Sequence, residues 1–252
     1  MTDALALLPH TVGLDLGQSR DYSAIAVLEA AYWLTEEQAW TLNAKQHGWV
    51  WPGELVPDQI DRARGLNYHR GRPAGGPLAL RHLQRWEHGT AYPRIVQDVV
   101  QLLDTAPLRA DRAMLVVDAT GVGAPVVDLF RAEQVNHAPV TITGGFAVGW
   151  DLQRGSFTVP KRDLVSVMAV LLEQRRLRIP EALPTRDLLT RELQAFRRRV
   201  TPVGNDTYAS WREQDHDDLV LVVALAAWHY EHHNSLIEQQ NARRFGRAPK
   251  AG

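Results

Sequence analysis

Four aspartates stand where the surrounding sequence calls for burial. Asp15 lies in the alternating stretch Thr11 to Gly17, with Val12, Leu14 and Leu16 on one face and Gly13, Asp15 and Gly17 on the other. Asp118 closes the apolar run from Ala113 to Val117, and Asp217 and Asp218 head the apolar run from Leu219 to Trp228. A carboxylate set against a core is costly unless it is paired or bound to a cation. Brought together, such hard oxygen donors suit Mg²⁺ or Mn²⁺. Two of these ions held roughly 3.5 to 4 Å apart can split a phosphodiester, one by activating water and the other by stabilising the leaving oxygen.

Each acid also has an ordinary reading. Asp217 or Asp218 can be a helix N-cap, favoured by the helix dipole. Asp118 can bond the backbone of the Gly121 to Gly123 turn. Asp15, flanked by glycines on its strand face, has room for a ligand and nothing to gain in packing. Capping explains one acid of the helix pair and hardly both, so the conjunction points further than any one member.

Positioning these acids requires particular elements. Thr11 to Gly17 reads as a strand, and a turn over residues 18–22 that contains Asp21 leads into the apolar run Ala24 to Leu28, a hairpin opening a sheet. Residues 32–77 carry Trp, Pro, Gly and His without period and read as an irregular insertion. Leu78 to Trp86 is strand-like, and Tyr92 to Leu103 has helical spacing. A strand from Ala113 to Val117, a glycine turn, a helix from about Pro125 to Val135 and a strand from Val140 to Thr143 form a βαβ unit. That unit puts Asp118 at the edge where α/β sheets bind ligands.

Helices are expected over Pro160 to Leu172 and Thr185 to Phe196, followed by a β-hairpin from Arg197 to Trp211 that turns at Gly204-Asn205. The stretch Asp217 to Tyr230 is apolar nearly all round and predicts a buried helix, with a frayed polar end over Gln239 to Gly252. The expected fold is α/β, a mixed β-sheet flanked by helices. It is one domain over residues 11–233 with an insertion at about 34–77, then a polar, basic tail over 234–252.

At 252 residues the chain can bury one large core. With no cysteine it has neither disulfides nor thiolate metal sites, which fits an intracellular, cytoplasmic protein. Met1 to His10 lacks the pattern of a secretory signal, and Leu219 to Trp228 is too short to span a bilayer, so no membrane role is expected. The formal net charge of −1 gives no global field to attract a polyanion. Affinity for nucleic acid must come from local charge, for which Lys161, Arg162 and the run Arg197-Arg198-Arg199 are the candidates. His229, His232 and His233 read as residues favoured by a helix C-terminal dipole, and no Gly-x-Ser-x-Gly elbow supports a serine nucleophile.

Three segments in order carry a resemblance: Gly-Leu-Asp-Leu-Gly from Gly13 with Asp21 following, Val-Val-Asp-Ala-Thr-Gly-Val-Gly from Val116, and His-Asp-Asp-Leu from His216. Together with Val159-Pro160-Lys161 and the expected hairpin, they resemble the nuclease domain of phage terminase large subunits, of ribonuclease H-like fold, from about Thr11 to Tyr230. The resemblance implies Asp15, Asp118 and Asp218 as the metal-binding and catalytic triad and Asp217 as a fourth acid. It implies Asp21 as an auxiliary acid and His216 as a neighbouring histidine, with a neutral supporting role or one in positioning or proton transfer left open. It further implies a two-metal endonuclease acting on double-stranded DNA in a phage or prophage setting. A Walker A loop needs Gly-Lys-Ser or Gly-Lys-Thr, and Lys45, Lys161 and Lys250 follow Ala, Pro and Pro. Cleavage is therefore expected of this chain, as a separately encoded nuclease subunit, an excised domain or a relative repurposed for another DNA-processing task, with a separate terminase ATPase, portal or small subunit among its candidate partners. Two other readings stay open at this point. One is a phosphotransferase of the actin and sugar-kinase type, whose phosphate loops the Gly-x-Asp-x-Gly and Gly-x-Gly turns also resemble, and the other a non-catalytic DNA-binding assembly module.

Overall fold

The computed structural model describes residues 4–7, 10–17, 21–34, 77–111, 113–121, 123–151, 153, 155–200 and 217–245. The strands are β1 (Ala4–Leu7), β2 (Thr11–Asp15), β3 (Ala24–Leu34), β4 (Leu78–Arg85), β5 (Met114–Asp118), β6 (His137–Thr143), β7 (Gly149–Asp151), β8 (Ser156–Pro160) and β9 (Leu177–Arg178). The helices are α1 (Tyr92–Leu103), α2 (Ala106–Asp111), α3 (Gly123–Ala132), α4 (Lys161–Glu173), α5 (Arg186–Val200) and α6 (Asp218–Phe245). Two compact units divide the chain: Met1–Leu8, Ala30–Pro77 and Trp228–Gly252 in one, Pro9–Glu29 and Leu78–Ala227 in the other. In the first, β1 pairs antiparallel with the end of β3, from Ala4 opposite Leu34 to Leu7 opposite Ala31.

The second unit is built on a mixed sheet in the order β7-β8-β6-β5-β2-β3-β4-β9. Its centre is parallel, since β2 pairs with β5, β5 with β6 and β6 with β8 in that sense. The β2–β3 pair is antiparallel. Period-two alternation decides which layer each side chain joins. Val12, Leu14, Leu16, Ile25, Val27, Leu115 and Val117 form one core with Ile95, Val96 and Val99 of α1 and Val126, Val127 and Phe130 of α3. On the opposite face α6 crosses β2, and the residues from Val222 to Ala227 have no exposed surface at all. Gly13 makes that approach possible. A Cβ there would stand 2.0 Å from the Val222 carbonyl oxygen.

In three places the chain departs from the sequence reading. Tyr32 to Leu34, assigned to the irregular insertion, instead continue β3. The residues assigned to the first strand of a hairpin, Arg197 to Val200, instead complete α5. Leu189, Leu193 and Phe196 keep a buried helical stripe running, and arginine is a good helix former. The described helix runs to Val200. The Gly204-Asn205 turn and the second hairpin strand lie outside the described residues, as do residues 35–76 of the expected insertion. At the other end α6 runs to Phe245, so the first residues assigned to a polar tail are helical. Glu, Gln, Ala and Arg favour helix there, and no Gly or Pro interrupts until Gly246.

Candidate active site

Asp15 and Asp118 end neighbouring parallel strands. The β2–β5 register runs as far as Leu14 opposite Val117, so the two acids are next in line at the carboxyl ends of their strands. Both are buried, at 7% and 2% exposed. Asp118 Oδ1 accepts the Thr120 N–H at 2.8 Å, one residue ahead of the glycine turn expected to supply its bond, and this uses one of the several lone-pair positions a carboxylate offers. Thr120 Oγ1 accepts the Ile142 N–H at 2.9 Å, and Gly121 takes φ +69°, which turns the chain from β5 into α3. The turn after Asp15 is held as firmly. Gly17 N–H donates to Ser23 Oγ at 3.0 Å, and the Tyr92 hydroxyl of α1 donates to the Gly17 carbonyl at 2.9 Å. Asp21, between Gly17 and Ser23, is exposed.

The other two acids begin α6. The Asp217 carbonyl accepts the Leu221 N–H at 2.9 Å, which makes Asp217 the N-cap and Asp218 the first helical residue. Glu192 of α5 supplies the remaining cap, its Oε2 accepting the N–H groups of Leu219 at 3.0 Å and Val220 at 3.3 Å. These are donors that a helix start leaves without internal partners. Arg85, the last residue of β4, hydrogen-bonds Glu192, lies 3.3 Å from Asp218 Oδ2 and stands over the Tyr22 ring, 4.7 Å from its centroid. The Trp86 N–H bond to the Ser23 carbonyl, 2.9 Å, sets Arg85 beside Ala24, and Ala24 is the β3 partner of Asp15. Two contacts therefore bring the head of α6 to the edge that carries Asp15: Gly13 against Val222 one turn into the helix, and Arg85 against Asp218 itself. Burial pushes the Glu192 carboxyl up to about 7, outweighing the opposing pull of Arg85 and the two backbone bonds; the nearby Asp218 adds to the rise.

The donors are of the type Mg²⁺ and Mn²⁺ prefer. As the side chains stand, however, no three His, Cys, Asp or Glu residues among those described converge closely enough to hold a metal ion. The Asp218 carboxylate faces Arg85. Of the other residues picked out from the sequence, Lys161 and Arg162 open α4 directly after β8, at the same carboxyl edge of the parallel strands. Arg162 donates to the Phe146 carbonyl and covers its ring at 4.9 Å, and Phe146 is 81% exposed. His216 and the side chains of Arg197, Arg198 and Arg199 lie outside the described residues. Arg85 and Glu192 escaped the sequence reading. Glu192 had left a trace, an acid falling on the buried stripe of Leu189, Leu193 and Phe196.

A mixed sheet with buried acids ending adjacent parallel strands, covered by a helix that starts with two more acids, is a ribonuclease H-like α/β fold. Over 222 residues, 88% of its length, the chain is 22% identical to the terminase large subunit of Thermus phage G20c and equally to that of Thermus virus P23-45. It spans 32% of the length of these relatives. The solved large terminase nuclease of the thermophilic phage G20c shares its fold, with a TM-score of 0.50 at 18% identity over 88% of this chain and 83% of that one. No family model matches. The chain thus has the fold of the large terminase nuclease, and its curated relatives are terminase large subunits.

Proposed function

We propose that the chain is a metal-dependent endonuclease that hydrolyses phosphodiester bonds in double-stranded DNA, using two Mg²⁺ or Mn²⁺ ions, in phage or prophage DNA processing. One observation carries the reading: Asp15 and Asp118 are buried side by side at adjacent strand ends, with the Asp217-Asp218 helix start brought to the same edge. Carboxylates collected at one sheet edge are the hard oxygen donors that divalent cations take. The sequence similarity to terminase large subunits supports the same reading.

Asp15 and Asp118 would hold the ions from the sheet, and Asp218 and Asp217 from the helix, with Asp21 and His216 as auxiliaries. Bound cations would neutralise charge building on the phosphate and lower the pKa of water, so that hydroxide is available as the nucleophile. The chain's own part is positional. The Thr120 bond fixes Asp118, the Glu192 cap fixes the start of α6, and packing against both sheet faces keeps bulk water from the rear of the site. Lys161, Arg162 and Arg197 to Arg199 would contact backbone phosphates, which gives affinity without sequence information. A packaging ATPase, portal or small subunit would work with it in the cytoplasm of a bacterial host.

Purified protein with Mn²⁺ is expected to nick supercoiled plasmid and to lose that activity with chelator. Asp15→Asn, Asp118→Asn and Asp218→Asn are each expected to abolish it. Cleavage that persists in all three variants would overturn the assignment.

A further inference from the structure

Arg85, Glu192 and Asp218 form a buried cluster in which one guanidinium serves two carboxylates, with side-chain exposures of 13%, 7% and 10%. Neither Arg85 nor Glu192 ends a strand of the parallel core, and neither belongs to the three segments that suggested metal binding. We propose that Arg85 and Glu192 are positioning residues that form a charge-exchange clamp. Arg85 holds Asp218 until a divalent cation takes that carboxylate, and Glu192 keeps the released guanidinium. The inference rests on the reading of Asp218 as a metal ligand.

The geometry supports each half of the exchange. No set of three donors is closed among the described residues, while Arg85 stands 3.3 Å from Asp218 Oδ2, as a resident cation would. Glu192 is fixed by two backbone N–H groups of α6 through Oε2, leaving Oε1 for Arg85. The acceptor that receives the guanidinium is therefore anchored to the element that carries Asp218. Below it the Tyr22 ring offers Arg85 a face to rest on as it shifts between the carboxylates. A buried arginine stays charged, so the exchange needs no proton.

The clamp predicts opposite signs for two substitutions, which simple loss of structure cannot produce. Arg85→Gln removes the cation that competes for Asp218, and Mn²⁺ affinity measured by calorimetry is expected to rise about tenfold. Glu192→Gln keeps an oxygen for the Leu219 and Val220 N–H groups but takes away the charge that receives Arg85, and Mn²⁺ affinity is expected to fall by a similar factor. Arg85→Lys retains the charge and should return affinity towards the wild-type value; this variant with Glu192→Gln still tests the clamp if Arg85→Gln does not fold. Shifts of Arg85→Gln and Glu192→Gln in the same direction, or no shift in either, overturn the clamp while leaving the metal site standing. Wild-type protein that binds no Mn²⁺, or binds it equally well as Asp15→Asn and Asp118→Asn, overturns the metal site and the clamp with it.

Discussion

Replacing Gly13 with alanine is the smallest change that should force α6 away from β2. The added Cβ would lie 2.0 Å from the Val222 carbonyl oxygen, 3.0 Å from its carbon and 3.2 Å from the Ala226 nitrogen. A carbon normally approaches a carbonyl oxygen no closer than about 3.3 Å, so the helix backbone must retreat by on the order of 1 Å. Helix and sheet have no slack to absorb this, because the residues around the contact are wholly buried and close-packed. Overpacking of this kind costs about 1–3 kcal/mol, and a backbone obstacle belongs at the upper end. The displacement also reaches Asp218, one turn from Val222, and a misplacement of about 1 Å at a reacting centre can cost roughly a hundredfold in rate. Urea denaturation measures the first effect, and Mn²⁺-dependent plasmid nicking, under conditions where the variant remains folded, measures the second. A Gly13→Ala protein with wild-type stability and wild-type cleavage would refute the argument that this contact registers α6 on the strand.

Arg162→Ala is expected to weaken DNA binding and to reduce the slope of log K against log salt by about 0.9, with Mn²⁺ affinity unchanged; an unaltered slope removes Arg162 from the interface. Mn²⁺ at about a hundred times its dissociation constant should stabilise the wild-type protein by about 2.7 kcal/mol in urea titrations and leave Asp118→Asn unaffected, whereas equal stabilisation of both would place the ion elsewhere. Burial lowers the pKa of His82 below 6.5, although its hydrogen bond with the Gln84 side chain works the other way. The unfolded chain therefore binds the proton first, and the stability present above pH 6.5 is lost as pH falls through the folded value. His82→Gln should flatten that dependence in denaturation curves taken from about pH 7.5 down to pH 5, and an unchanged slope would show that other groups cause it.

Much of the site was legible because it depends on short-range patterns. Alternation around Asp15 gave the correct faces of β2, and the strand, glycine turn, helix and strand around Asp118 gave the parallel β5–β6 pair with Asp118 at its carboxyl edge, whereas the β2–β5 pairing that brings Asp15 to that edge is a long-range contact with no local signal. The apolar run after Asp218 gave a buried helix. Arg85 and Glu192 stayed hidden because their roles arise from contacts across long separations: β4 must reach β3, and α5 must deliver an acid to a helix start 27 residues on. The expected hairpin failed at its first strand for a local reason. The turn signal at Gly204-Asn205 was allowed to fix where the strand began, but the helical stripe ending in Phe196 and the propensity of three arginines carry α5 through to Val200.

The central claim is that Asp15, Asp118 and the Asp217-Asp218 helix start form one divalent-cation site. Anomalous diffraction from Mn²⁺-soaked crystals tests it most directly. Two peaks are expected between the strand ends and the head of α6, with Asp15 and Asp118 as ligands and Asp218 drawn off Arg85. Mn²⁺ peaks that avoid both strand ends, or no peak at concentrations that support cleavage, would contradict it.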